Sequence, residues 1–94
     1  MEYTEKHIKI ARIAKALGHP ARIKIIEILL NQSCCYSGDM AEELPIARST
    51  LSQHLKELKD AGLIQGEIKP PKIKYCINYE SWKLVKKYFI DFIQ

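Results

Sequence analysis

Met40-Ala41-Glu42-Glu43-Leu44-Pro45-Ile46-Ala47-Arg48-Ser49-Thr50-Leu51-Ser52-Gln53-His54-Leu55-Lys56-Glu57-Leu58-Lys59-Asp60-Ala61-Gly62-Leu63 is the stretch that decides the fold. Met40 and Leu44 are the inward positions of a short helix. Pro45 disfavours helical geometry at Leu44, so the chain turns before another helix begins near Arg48. At 100° per residue, Leu51, Leu55 and Leu58 share a narrow inward arc, Ser49, Gln53 and Lys56 lie nearly opposite, and Ser52 sits on the flank. Ala47 at the N-cap has no side-chain oxygen, so Ile46 and Leu51, at the two positions of a hydrophobic staple, fix the helix start by packing. His54 falls about 60° from the leucine stripe, which assigns it a packing or boundary role.

The outward face carries groups sized for base edges. Gln pairs bidentately with adenine, Ser reaches bases or phosphates, and Lys or Arg addresses guanine or the backbone. Arg48, at the helix start, serves either a phosphate or a base. The competing reading is an ordinary amphipathic helix with a solvated polar face. The basic hairpin that follows favours nucleic acid.

Upstream, Thr4 is the expected N-cap of a first helix with the stripe Ile10, Ile13, Ala14 and Leu17, ending at Gly18 in a left-handed C-cap. Pro20 fits the first turn of a second helix, from about Ala21 to Leu30, in which Ile23, Ile25, Ile26, Ile28, Leu29 and Leu30 cover nearly every direction. Asn31 to Tyr36 reads as a polar loop, and Ser37 as the cap of the short third helix, with Asp39 in its first turn.

Downstream of Gly62 the period changes to two. Ile64, Gly66 and Ile68 alternate with polar residues, Lys69-Pro70-Pro71-Lys72 interrupts, and Ile73, Tyr75 and Ile77 alternate in turn. This predicts a β-hairpin whose Lys69, Lys72 and Lys74 meet phosphates beside the groove. Trp82, Val85, Phe89 and Phe92 or Ile93 then recur at helical spacing between Ser81 and Ile93. The expected order is α-α-α-α-β-β-α: a mainly α chain with a small β-hairpin (α+β), a winged helix-turn-helix forming one domain over residues 1–94.

At 94 residues and 47% hydrophobic content, such a domain lies near the lower limit for a self-sufficient core, which favours oligomerisation. Ile10, Ile13, Trp82, Val85, Phe89 and Phe92 are the expected dimer interface, and a two-fold axis would set two reading helices about 34 Å apart on a pseudo-palindromic site. Fifteen Lys and Arg against eleven Asp and Glu give a net charge of +4, which suits an anionic partner. Three cysteines, two of them adjacent, do not indicate a disulfide framework, and the first residues hold no apolar signal region. The expectation is a cytoplasmic protein that uses no membrane. No Gly-rich phosphate loop, complete metal-ligand set or nucleophile–base–orienter trio is visible, so no enzyme and no catalytic residue is expected.

Leu17-Gly18-His19-Pro20-Ala21-Arg22-Ile23-Lys24-Ile25-Ile26 and the block from Ser49 to Ile64 resemble the ArsR family of dimeric winged-helix repressors, over about residues 8–92. The resemblance implies a homodimer joined through its first and last helices, double-stranded DNA as partner, an operator overlapping its own promoter, and release when an inducer binds. By position it puts DNA contacts on Arg48, Ser49, Ser52 and Gln53, with Thr50 and Lys56 completing the surface. The family's cysteine pair commonly has one residue between its members, whereas Cys34 and Cys35 are adjacent and Asp39 lies four residues beyond Cys35. The last helix has no histidine and Asp91 as its late acid, so the family's interhelical zinc site does not carry over.

No cofactor is required. A trivalent metalloid such as As(III) needs three sulfurs, the number supplied by Cys34, Cys35 and Cys76. Soft-metal or metalloid release through these cysteines is therefore one expectation. A thiol redox-responsive repressor is the alternative, and a winged-helix protein-interaction module without DNA binding is a further one.

Overall fold

The computed structural model describes residues 2–32, 36–37, 40–67 and 74–94. Its elements are α1 (Glu5–Ala16), α2 (Pro20–Leu30), β1 (Tyr36–Ser37), a single 3-10 turn (Met40–Glu42), α3 (Arg48–Asp60), β2 (Ile64–Glu67), β3 (Lys74–Ile77) and α4 (Tyr79–Ile93).

Thr4 opens α1 through a reciprocal cap. Its Oγ1 accepts from the His7 N–H at 3.2 Å, and His7 Nδ1 accepts from the Thr4 N–H at 3.1 Å. Histidine here fills the place that Glu or Gln usually takes in a capping box. The other end of α1 differs from expectation: Leu17 is the C-cap in a right-handed conformation, and Gly18 is not at positive φ. The His19 N–H closes this end instead, donating to Leu17 O at 2.8 Å as the chain turns directly into α2. Pro20 stands at the first position of α2, with His19 as N-cap accepting from the Ala21 N–H at 3.0 Å. Ile25, Ile26 and Leu29 are buried and Ile23 and Leu30 exposed, so α2 faces the core on one side and solvent on the other.

The expected third helix is replaced by two smaller elements. Ser37, read as a helix cap, lies in β1, whose Tyr36 and Ser37 pair with Tyr75 and Lys74 of β3. Backbone groups that would have opened a helix are taken up by a strand edge, which leaves room for one 3-10 turn. Met40 and Leu44 are buried as their spacing required.

The sheet order is β1-β3-β2, so β3 is paired on both sides. Its antiparallel register with β2 sets Ile64 opposite Ile77 and Gly66 opposite Tyr75. Gly66 is obligatory: its φ is +143°, and a Cβ there would stand 1.9 Å from the Lys74 carbonyl oxygen. Ile25, Met40, Leu55, Leu58, Leu63 and Ile64 are the largest fully buried side chains, so α2, the 3-10 turn, α3 and β2 close on one core. α4 starts at Asn78, whose Oδ1 accepts from the Ser81 N–H at 3.3 Å, and it packs against α1. No helix among the described residues is long and apolar enough to cross a membrane.

Candidate nucleic-acid interface

Helix α3 separates its faces as the leucine spacing demands. Leu51, Leu55 and Leu58 are buried, and Arg48, Ser49, Thr50, Ser52, Gln53 and Lys56 are exposed. Burial of each leucine is worth roughly 1.5–3 kcal/mol, so rotating the polar face inward would forfeit the seam that holds the helix. Ala47 is the N-cap without a side-chain hydrogen bond, and Ile46 is partly buried against the core cluster to which Leu51 belongs.

The far end is closed by backbone bonds. The Gly62 N–H donates to Lys59 O at 2.9 Å and the Leu63 N–H to Leu58 O at 3.0 Å, with Gly62 at φ +80°. This is a Schellman arrangement, in which the left-handed residue is glycine because a Cβ would be strained there. Leu63 is thereby buried and β2 begins at once.

Within the exposed face, Gln53 Nε2 donates to Glu57 Oε1 at 3.1 Å. One amide hydrogen is thus committed, while the other and Oε1 remain for a base edge. Lys59 donates its Nζ to the Gly66 carbonyl at 2.8 Å, tying the end of α3 to the wing strand. Of the wing lysines, Lys74 is exposed at the start of β3, and Lys69 and Lys72 lie outside the described residues.

His54 is 7% exposed, in keeping with a packing role. Its Nδ1 accepts from Arg22 Nε at 3.0 Å, and its ring lies 4.3 Å from that of His19. Burial first, then the charges of His19 and Arg22, hold its pKa below the ordinary 6.5, with Glu57 pulling weakly the other way. Sequence reasoning missed this Arg22 contact. The partners are 32 residues apart, and no local periodicity links them.

Cys76 is half-buried on β3 and disulfide-bonded, a bond that reading the three cysteines as no disulfide framework did not anticipate. The chain's other cysteines, Cys34 and Cys35, lie outside the described residues. The pairing of Tyr36 and Ser37 with β3, the strand that carries Cys76, was likewise not foreseen from spacing. Among the described residues, no three His, Cys, Asp or Glu side chains gather to hold a metal ion.

The residues expected at a dimer interface divide. Val85 is buried in the core; Ile13, Trp82 and Phe89 pack against it; Ile10 is half-buried; Phe92 is 65% exposed. Ile8, Leu84, Ile90 and Ile93 add further exposed apolar surface on α1 and α4.

A sequence model described as the bacterial regulatory protein, arsR family, matches residues 19–65. The chain is 34% identical over 68 residues to the HTH-type transcriptional regulator CmtR of Mycobacterium tuberculosis, a match covering 72% of this chain and 57% of CmtR, little more than half of that relative's length. It is 30% identical over 93 residues to the arsenical resistance operon repressor of Staphylococcus xylosus, covering 99% of this chain and 77% of the relative. In structure it resembles an ArsR-like transcriptional regulator from Rhodococcus sp. RHA1 with a TM-score of 0.73 at 20% identity, over 95% of this chain and 83% of the other. A winged helix-turn-helix that offers a hydrogen-bonding helix face, together with these likenesses, makes the chain a member of the ArsR family, whose proteins are transcriptional regulators and not enzymes.

Proposed function

We propose that this chain is a cytoplasmic, homodimeric transcriptional repressor that binds double-stranded DNA as one winged-helix domain. Helix α3 reads base edges in the major groove, and the wing grips phosphate. The observation that carries this reading is the exposure of Ser49, Ser52, Gln53 and Lys56 over a buried leucine seam. Arg48 and Thr50 complete the reading surface, and Lys69, Lys72 and Lys74 supply charge. The dimer forms through α1 and α4, where the exposed apolar side chains would be covered by a second copy. Ile10, Ile13, Trp82, Phe89 and Phe92 contribute there, while Val85 supports the interface from beneath.

Release from DNA is driven by a soft metal or metalloid such as As(III), held by the thiolates of Cys34, Cys35 and Cys76. The arsenical resistance repressor among its relatives supports this choice. The Cys76 disulfide favours a second reading, because a disulfide sulfur is no thiolate and cannot ligate As(III). In that reading two thiols lose two protons and two electrons to an oxidant such as a peroxide, and disulfide formation itself releases the operator.

Both readings meet one experiment: fluorescence anisotropy on the protein's own promoter, with arsenite added under reducing conditions and, separately, hydrogen peroxide. Preferential binding of the promoter over a random duplex is expected, and its absence would reject the DNA reading. Release by arsenite alone identifies a metalloid sensor and release by peroxide alone a redox sensor. Release that persists in a Cys34→Ser, Cys35→Ser variant removes the pair from the mechanism.

A further inference from the structure

One buried polar contact lies at the junction of three helices, away from the DNA face. Arg22 of α2 donates Nε to His54 Nδ1 on α3 at 3.0 Å and Nη1 to the carbonyl of Ala16, the last residue of α1, at 3.1 Å. A single guanidinium therefore spans the helix that starts the fold, the helix at its centre and the helix assigned to DNA.

The tautomer of His54 follows from this geometry. With Nδ1 accepting, the neutral ring carries its proton on Nε2. That nitrogen is buried and has no hydrogen-bond partner among the described residues. An apolar side chain would avoid the unsatisfied donor. What the imidazole supplies at this position, and an apolar side chain would not, is an acceptor for Arg22.

His19, the N-cap of α2, Arg22 of α2 and Glu57 of α3 act on the ring, and they share one cleft with Arg12 and Lys15 of α1 and Asp60 of α3. His19 lies 4.3 Å away ring to ring. Protonation would place a hydrogen on Nδ1 where the Arg22 Nε–H already points, setting two donors and two cations against each other in a buried site.

We propose that His54 is a positioning residue for operator recognition: its neutral imidazole, latched by Arg22, fixes the angle of α3 against α1 and α2, and protonation opens the latch and weakens sequence-specific binding. The inference rests on the reading of α3 as the DNA-reading helix. Its pH window follows from the direction in which the site moves the group. Burial and the neighbouring cations favour the neutral ring in the folded chain, so the unfolded or unlatched chain takes up the proton first. The latch is complete above pH 6.5, the ordinary value for histidine, and is lost as pH falls through the lower value of the folded protein. Non-specific binding, which rests on phosphate contacts and not on the angle of α3, should not share this loss.

The test compares anisotropy on the promoter and on a random duplex at pH 7.5 and 5.5, at constant ionic strength. Promoter affinity should fall on acidification, by up to tenfold per pH unit for one linked proton, while random-duplex affinity holds. His54→Gln keeps an amide oxygen as acceptor for Arg22 at either pH and should reduce the loss to less than about twofold. His19→Asn, which preserves an N-cap, should retain the loss. In parallel, the His54 ring titration followed by NMR in the wild type should move to lower pH when promoter DNA is bound, a readout that survives if the Gln variant misfolds.

Promoter and random affinities that change in parallel, a Gln variant that keeps the acid loss, an Asn variant that abolishes it, or a ring titration indifferent to DNA would each overturn the latch. Failure to prefer the promoter at pH 7.5 would instead count against the DNA reading beneath it.

Discussion

Helices α3 and α4 have similar lengths, 13 and 15 residues, and both bury one side against the core, yet they leave opposite chemistries outside. The free side of α3 is Ser49, Ser52, Gln53 and Lys56. That of α4 includes Leu84, Ile90, Phe92 and Ile93, the last 75% exposed. Water satisfies the first surface and not the second. A polar helix face can wait in solution for a polar partner, whereas an apolar one of this kind is covered by another polypeptide. Under the proposed function, DNA would meet the first helix and a second copy the other.

The strongest way to break the contrast is to attack the buried side of α3. Leu58→Ala, at a site with 0% exposure, should lower stability in urea titration by about 2–5 kcal/mol. A cost under 1 kcal/mol would mean the leucine seam does not anchor the helix. On α4, Phe92→Ser with Ile93→Ser should leave the fold intact and yield monomers in analytical ultracentrifugation. Promoter affinity should fall by about 100-fold, because two linked half-sites become independent. An unchanged dimer would place self-association elsewhere.

The outer face of α3 offers a finer test. Gln53→Ala should cost about 1–3 kcal/mol of discrimination at one base position in a binding survey over single-base variants, with random-duplex affinity barely altered. Lys74→Ala should produce the smallest effect, a weakening of about two- to threefold on every sequence and a salt slope reduced by about one. A sequence-dependent loss at Lys74, or a uniform one at Gln53, would exchange the roles of helix and wing.

The parts of this molecule legible in its sequence are those written in local periodicity. Leucines at 51, 55 and 58 fixed which side of α3 is buried, and alternation around Ile64 and Ile77 announced the hairpin. Thr4 was recognisable as a cap. What escaped was set by distant partners or by elements too short to carry a pattern. Two residues cannot display a strand's period, so Tyr36–Ser37 passed as loop and helix cap until β3 claimed them. Gly18 looked like a left-handed terminus, but the adjoining His19 and Pro20 turn the chain without one. At the candidate site, the exposed face of α3 was readable residue by residue. The Arg22 contact to His54 and the Lys59 contact to Gly66 depend on which elements the fold brings side by side.

The Lys59 contact, with only Ala61, Gly62 and Leu63 between α3 and β2, ties the proposed reading helix closely to the first wing strand. On a duplex the two would move together like the fixed jaws of a gauge. Insertion of a single base pair between their footprints would swing one contact about 35° around the duplex axis relative to the other, a misfit that a rigid gauge cannot follow. If α3 and the wing bind as proposed, spacing inside each half-site would be part of what this protein reads, even at bases it never touches.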